Sequence, residues 1–131
     1  MRKLTVNKTG SSPKVYLDPD KEIFEISGES RPPDVAGFYS DILKWFDDYS
    51  RLIVNTDNDV VNFDFDLDYF NSTSAKYILD LCKKIGEVRS KGKMINVRWH
   101  YEPGDADMLE AGREMSRMAK FPFEFRLKAS E

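Results

Sequence analysis

The segment 60–70 constrains the fold most strongly, because its polarity changes at every residue. Five apolar side chains alternate with four polar ones, namely Val61, Phe63, Phe65, Leu67 and Tyr69 against Asn62, Asp64, Asp66 and Asp68. Successive side chains on a strand point to opposite faces, so this period of two predicts a strand with one buried and one solvated face. A turn rich in hydroxyl groups, Asn71-Ser72-Thr73-Ser74, follows, and apolar residues at helical spacing then predict a helix to about Arg89.

The remaining elements follow from similar patterns. Residues 14–17 and 22–27 predict a hairpin around Asp18-Pro19-Asp20, and Arg31-Pro32-Pro33-Asp34 predicts the start of a helix that ends near Ser50. A strand over 94–101, a helix capped by Asp105 and a strand over 121–128 complete the chain. The predicted order is β-β-α-β-α-β-α-β.

This order predicts a single α/β domain over residues 1–131, with residues 1–12 flexible. Strands joined through helices are parallel, and the hairpin makes the sheet mixed. Parallel strands covered on both faces read as continuous apolar runs, whereas these strands alternate. We therefore expect two layers, with the helices on one face of the sheet and solvent on the other.

Composition excludes several classes of protein. The net charge of −3 argues against a nucleic-acid partner, which normally requires a clustered basic surface. The one cysteine, Cys82, cannot form an internal disulfide and is expected to be a buried helix residue. The chain starts without the apolar stretch of a signal peptide and contains no run long enough to span a membrane, which predicts a soluble cytoplasmic protein.

The three strand aspartates are the first candidates for chemistry. Hard cations bind clustered carboxylates, but Asp64, Asp66 and Asp68 step about 6.6 Å apart along one strand face, too far for all three to bind one ion. We expect these carboxylates to meet cations on neighbouring strands, with Arg98, Arg126 and Lys128 as the candidates. The spacing therefore argues against a metal-dependent hydrolase, although Asp68 is of interest because it lies nearest the turn.

Catalytic motifs are absent from the sequence. His100 is the only histidine, alternates onto the polar face and is expected at the surface. No glycine-rich phosphate loop, CxxC pair, HExxH sequence or nucleophile elbow is present. These absences argue against an enzyme, and no cofactor or metal is expected.

The turn at Asn71 permits two interpretations. It follows a parallel strand and precedes a helix, the position where open α/β sheets place their sites and where free N–H groups stabilise anions. Asn, Ser and Thr are also the preferred helix caps, and capping alone requires no further function. The residues themselves leave both a phosphorylation switch and plain capping open.

Motifs around this turn resemble those of a known family. They are the segments Asp68-Tyr69-Phe70-Asn71-Ser72-Thr73-Ser74, Leu79-Asp80-Leu81, Val97-Arg98-Trp99-His100-Tyr101-Glu102, Asp107-Met108-Leu109-Glu110-Ala111-Gly112 and Phe121-Pro122-Phe123. Together they resemble the SiaC family of bacterial regulatory phosphoproteins over nearly the whole chain. The element order also resembles STAS domains, which carry a phosphorylated serine at the same strand-to-helix turn.

The resemblance implies a partner-switching protein. A GHKL-type kinase phosphorylates one hydroxyl group, a PP2C-type phosphatase removes the phosphate, and the unphosphorylated form binds and activates a diguanylate cyclase. The family's acceptor is the threonine directly after the asparagine, a position that Ser72 occupies here, with Thr73 as the alternative. Partner binding is expected along Asp68, Tyr69, Phe70, Asn71, Ser72, Thr73 and Ser74. Two other functions stay open, an antagonist of an anti-sigma factor and a domain that binds a small molecule.

Overall fold

The computed structural model describes residues 1–54 and 60–129. The strands are β1 (Leu4–Val6), β2 (Lys14–Asp18), β3 (Ile23–Ser30), β4 (Val61–Phe70), β5 (Ile95–Tyr101) and β6 (Glu124–Leu127). The helices are α1 (Val35–Ile53), α2 (Ser72–Ser90) and α3 (Ala106–Ala119). The α/β class and the mixed sheet are confirmed.

The sheet follows the order of the chain. Its strands lie side by side as β1-β2-β3-β4-β5-β6. β1, β2 and β3 pair antiparallel, whereas β3 to β6 pair parallel through the three helices. The parallel strands are neighbours in chain order, and helical connections between parallel strands are right-handed. All three helices therefore lie on the same face of the sheet. The alternating burial of β4 agrees, since Phe63 and Phe65 are buried while Asn62 and Asp64 are partly exposed.

The predicted element order was wrong at its start. Residues 4–6 form β1 against β2, within the segment 1–12 that was expected to be flexible. The indole Nε1 of Trp45 also donates to the carbonyl of Arg2 at 2.8 Å. A strand of three residues is too short for a periodicity signal, and its contacts with β2 and α1 come from distant parts of the chain.

Two predicted boundaries also differ. Helix α1 continues to Ile53 beyond the predicted end near Ser50. The last strand covers only residues 124–127 of the predicted 121–128. Ser116 Oγ donates to the carbonyl of Phe121 and accepts from the amide of Phe123, which holds this segment against the end of α3 instead of in the sheet.

The core lies between the sheet and the helices and is rich in aromatic rings. Trp99 on β5 is fully buried and contacts Phe65, Phe70 and Phe123, with ring centroids 5.6 to 6.1 Å apart. Cys82 is fully buried, as predicted, and burial raises the pKa of its thiol.

The open face of the sheet carries ion pairs. Arg98 donates from Nε and Nη2 to the two carboxylate oxygens of Asp64, both at 2.7 Å, and His100 Nε2 donates to Oδ1 at 2.7 Å. Lys128 contacts Asp66, Asp68 and Glu102. The predicted cross-strand cations are therefore confirmed for Arg98 and Lys128.

Two details of this face go beyond the sequence prediction. Arg126 pairs with Glu124 of its own strand, 2.8 Å away, and not with a β4 aspartate. His100 is on the polar face, as predicted, and is partly buried there by its contact with Asp64. Alternation assigns a residue to a face, whereas the partner depends on strand register.

We predict that Gly112→Ala destabilises the domain. A Cβ atom at Gly112 would lie 2.5 Å from Cδ1 of the buried Trp99, so α3 would have to move off β5. Overpacking of this kind costs about 1 to 3 kcal/mol of unfolding free energy, measured by urea denaturation. Gly10→Ala is the matched control, since a Cβ there meets nothing within 4 Å. Equal effects of the two substitutions would contradict the packing account.

We also predict a pH-dependent contribution from Asp64. Burial alone raises its pKa, but the hydrogen bonds from His100 and Arg98 outweigh burial and lower the pKa of Asp64 below its ordinary value. A carboxylate with a lowered pKa in the folded state stabilises the fold above its unfolded pKa of about 4 and loses that stabilisation as the pH falls further.

Asp64→Asn should therefore destabilise the fold by about 1 to 2 kcal/mol at neutral pH, because it removes the charge that pairs with Arg98. The cost is limited to this range because the ion pair is partly exposed to solvent. The difference from wild type should shrink as the pH falls below about 4, measured by urea denaturation across that range. Asp41→Asn, at an exposed position on α1, is the control. If the difference in unfolding free energy does not change with pH, the charge of Asp64 does not stabilise the fold.

Candidate functional site

The turn at Asn71 joins the end of β4 to the first turn of α2. Asn71 is in extended conformation and is the N-cap of α2, with its Oδ1 accepting from the amide of Ser74 at 2.8 Å. Its amide donates to the carbonyl of Ser30 at 3.1 Å, which ties the turn to the end of β3. Asn71 therefore accounts for capping, and the hydroxyl groups that follow are not needed for it.

Ser74 is held in a buried chain of hydroxyl groups. Its Oγ donates to the carbonyl of Ser30 at 3.0 Å, and Ser30 Oγ donates to Ser74 Oγ at 3.0 Å. Tyr39 of α1 lies 2.6 Å from Ser30 Oγ and must be the donor in that contact, because the Ser30 proton is already used. All three residues are inaccessible to solvent. Ser74 was predicted to contribute to a partner-binding surface, and this structure gives it a structural position instead.

The Tyr39 hydroxyl is fixed in its protonated form. Burial raises the pKa of Tyr39 to about 12, although its hydrogen-bonding contacts with Ser30 and Ser74 oppose the shift. Its ring also stacks on Tyr77 of α2, with centroids 5.8 Å apart. The first turn of α2 is thus connected through side chains to both β3 and α1.

Ser72 and Thr73 differ from Ser74 because both are exposed. They are the first two residues of α2, and the amides there have no intrahelical acceptor. Neither amide donates to another group of residues 1–54 or 60–129. The turn therefore presents two accessible hydroxyl groups beside two N–H groups at the positive end of a helix dipole.

The strand before the turn contains a register shift. Gly28 pairs with Leu67 and Glu29 with Tyr69, so Asp68 lies opposite no residue of β3. Tyr69 was expected on the buried face, but the shift turns it outward and leaves 49% of it exposed. Phe70 turns inward and packs edge-on against Trp99, 6.0 Å between centroids. Gly28 lies at the shift with a φ of +105°, a conformation that favours glycine. A glycine inside a predicted strand is the sequence signal for such an irregularity.

A groove of about 380 Å³ lies beside the turn. The residues that line it come from the end of β4 and the start of α3, namely Asp68, Tyr69, Phe70, Asp105, Asp107, Met108 and Ala111. Three of the predicted partner-binding residues therefore share one surface with α3, a proximity that the local sequence pattern at the turn does not indicate. Asp105 caps α3 and accepts from the amide of Met108 at 3.0 Å.

No set of three metal-binding side chains is clustered in the part of the chain that the structure describes. Asp64, Asp66 and Asp68 contact Arg98, His100 and Lys128 instead. Among the same residues, no helix is both long and apolar enough to cross a membrane.

We predict that Tyr39→Phe loosens the turn. The substitution keeps the ring and its stacking but leaves Ser30 Oγ without its donor, which should cost about 1 to 2 kcal/mol of unfolding free energy. Hydrogen exchange at the amides of Ser74 and Ala75 should accelerate. Tyr49→Phe is a matched control, since Tyr49 is also buried on α1 and its hydroxyl bonds to no group among the described residues. Equal exchange at the turn in both variants would show that the hydroxyl chain does not hold it.

Comparison with proteins of known structure supports the fold. Apo-SiaC from Pseudomonas aeruginosa has a TM-score of 0.79 and 24% sequence identity, and the match covers 98% of this chain and 100% of that one. A chain in the structure of the P. aeruginosa diguanylate cyclase SiaD in complex with its activator SiaC has a TM-score of 0.82 and 22% identity, covering 95% and 99%.

Comparison of sequences gives the family. An uncharacterised protein of P. aeruginosa strain UCBPP-PA14 is 24% identical over 123 residues, which are 94% of each chain. The profile described as "SiaC family regulatory phosphoprotein" matches residues 6–128. This chain therefore belongs to the SiaC family of regulatory phosphoproteins.

Proposed function

We propose that this protein is a switch controlled by phosphorylation of Ser72, and that its unphosphorylated form binds and activates a diguanylate cyclase. A GHKL-type kinase adds the phosphate, a PP2C-type phosphatase removes it, and the exchange takes place in the cytoplasm. The output is the level of cyclic di-GMP and, through it, biofilm formation. The observation that carries the proposal is the exposed hydroxyl of Ser72 at the first position of α2, beside amides without an intrahelical acceptor.

The comparisons support the choice of partner. The SiaC protein of P. aeruginosa is described as the activator of the diguanylate cyclase SiaD. Membership of a family of regulatory phosphoproteins supports a role in regulation and not in catalysis. The kinase and phosphatase classes rest on the family resemblance of the turn.

The geometry of the turn favours an acceptor at its start. Ser74 is fully buried and its hydroxyl is engaged with Ser30, so a kinase cannot reach it without opening the helix. Ser72 and Thr73 are exposed. Ser72 follows the asparagine directly, as the acceptor does in the family pattern, and we therefore propose Ser72, with Thr73 as the alternative.

Phosphorylation at this position leaves the fold intact. A phosphate near the start of α2 meets the free amides of Ser72 and Thr73 and the positive end of the helix dipole, which stabilise an anion. The helix does not have to unfold for the modification to act. The signal is therefore the change in surface charge, which a partner reads directly.

The effect on a partner is electrostatic. The phosphate adds about 1.5 to 2 negative charges to a turn that follows Asp66 and Asp68, two carboxylates that share the ammonium group of Lys128. A partner that packs on the turn and on the exposed ring of Tyr69 would have to desolvate this charge. Loss of the complex is expected, because an uncompensated charge in an interface costs several kcal/mol.

We predict that the protein isolated after coexpression with its kinase carries one phosphate on Ser72. Intact-mass analysis should show a single added phosphate, and peptide mapping of residues 69–83 should place it. Ser72→Ala should abolish the added mass, whereas Thr73→Ala should retain it. If Ser72→Ala retains the phosphate and Thr73→Ala loses it, the acceptor is Thr73. If neither residue carries phosphate in the wild-type protein, the proposal is contradicted.

We also predict that the two charge states of the turn differ in partner affinity. In a titration with the cyclase, Ser72→Ala should bind like the unphosphorylated protein, and Ser72→Asp should bind at least about tenfold more weakly. Asp41→Asn, away from the turn, should bind normally. Equal affinity of Ser72→Ala and Ser72→Asp would refute charge repulsion at this position.

A further inference from the structure

A second groove lies at the other end of the molecule, between the C-terminal turns of α2 and α3. It has two adjoining parts, of about 520 and 340 Å³, which share Gly86, Ser90 and Lys120. Met94, the residue before β5, lies on this groove, whereas the turn at Asn71 follows the end of β4. Because β4 and β5 are parallel, Met94 lies at the N-terminal ends of these strands and Asn71 lies at their C-terminal ends. The groove and the turn are therefore at opposite ends of the strands.

The groove is basic in an acidic protein. Four cations line it, Lys83, Arg89, Lys93 and Lys120, with Glu87 as the one carboxylate. The whole chain has a net charge of −3. None of the three lysines forms an ion pair with a carboxylate of residues 1–54 or 60–129. Their ammonium groups are therefore available to a ligand.

Arg89 differs from these lysines because its role is structural. Its Nη1 donates to the carbonyl of Ile95 at 2.7 Å and to Asn96 Oδ1 at 3.3 Å. Its guanidinium also lies 4.9 Å from the centre of the Phe121 ring. Arg89 thus fixes an aromatic ring in the lining of the groove.

Exposed apolar side chains accompany the charges. Met94 is 59% and Met118 45% exposed, and they flank the two parts of the groove. Cations near the C-termini of helices are favourable to the helix dipoles, but the dipoles do not require exposed methionines. Methionine is flexible and polarisable and is common on surfaces that bind peptides.

We propose that this groove binds an acidic segment of a partner protein, in which carboxylates alternate with apolar side chains. The carboxylates pair with Lys83, Lys93 and Lys120, and the apolar side chains pack on Met94, Met118 and Phe121. The proposal goes beyond the phosphorylation switch and does not depend on it. Since the groove and Ser72 lie at opposite ends of the strands, the segment stays bound in both charge states of the turn.

The test uses the full chain and a short fluorescent peptide of glutamate and leucine residues. Fluorescence anisotropy should show saturable binding, and amide chemical shifts should change at residues 83–94 and 118–121. Replacing the glutamates of the peptide with glutamine, or its leucines with serine, should each weaken binding about tenfold. Binding of the glutamine peptide at full strength would overturn the role of the lysines.

Variants of the protein separate this site from general attraction to a lysine-rich surface. Lys83→Glu combined with Lys93→Glu should weaken the peptide at least about tenfold, since two attractive contacts become repulsive. Lys21→Glu combined with Lys44→Glu is the control with the same change of net charge, and neither of its residues lines the groove. Equal losses in the two double variants, or chemical-shift changes spread over the whole surface, would overturn the proposal.

Ser72→Asp completes the test and should bind the peptide with unchanged affinity. A change of tenfold or more would contradict the independence of the two ends. The Ser72 variants in the cyclase titration decide the switch separately, so either proposal can fail while the other stands.

Discussion

The arrangement of the turn depends on two hydrogen bonds that the backbone carbonyl of Ser30 accepts. This carbonyl accepts from the amide of Asn71 at 3.1 Å and from the hydroxyl of Ser74 at 3.0 Å. These two bonds fix the residue before α2 and the third residue within it to the end of β3. With Ser74 held inward and Asn71 used as the cap, Ser72 and Thr73 are the two hydroxyl residues of this turn that are exposed to solvent. Burial, and not hydroxyl chemistry, thus distinguishes the three neighbouring hydroxyl residues.

The sequence predicted the elements whose signals are periodic. The alternation over 60–70 and the helical spacing after Asn71 gave β4, α2 and the parallel connections correctly. The three residues of β1 and the short β6 were missed or misjudged, because a few residues carry too little periodicity and their pairing depends on distant partners. Ser116, which holds residues 121–123 against α3, cannot be identified from spacing.

The candidate site was predicted by location but not in detail. The pattern of strand, turn and helix correctly placed the hydroxyl groups at the C-terminal end of β4 and the start of α2. It did not decide which of Asn71, Ser72, Thr73 and Ser74 caps the helix, and the structure assigns the cap to Asn71. The outward turn of Tyr69 depends on the register shift opposite Asp68. The inward position of Ser74 depends on its hydrogen bonds with Ser30, 44 residues upstream, which in turn accepts from Tyr39. Both are tertiary effects on a local pattern. Single-sequence reasoning has no access to them, because the pattern at the turn is the same with or without these partners.

In the proposed switch, a phosphate on Ser72 decides whether the diguanylate cyclase binds. The most direct measurement is sedimentation of the cyclase with protein phosphorylated on Ser72, before and after treatment with the phosphatase. We expect the phosphorylated protein to sediment separately from the cyclase, and we expect removal of the phosphate to restore the complex. A complex that forms equally before and after treatment would contradict the proposed switch.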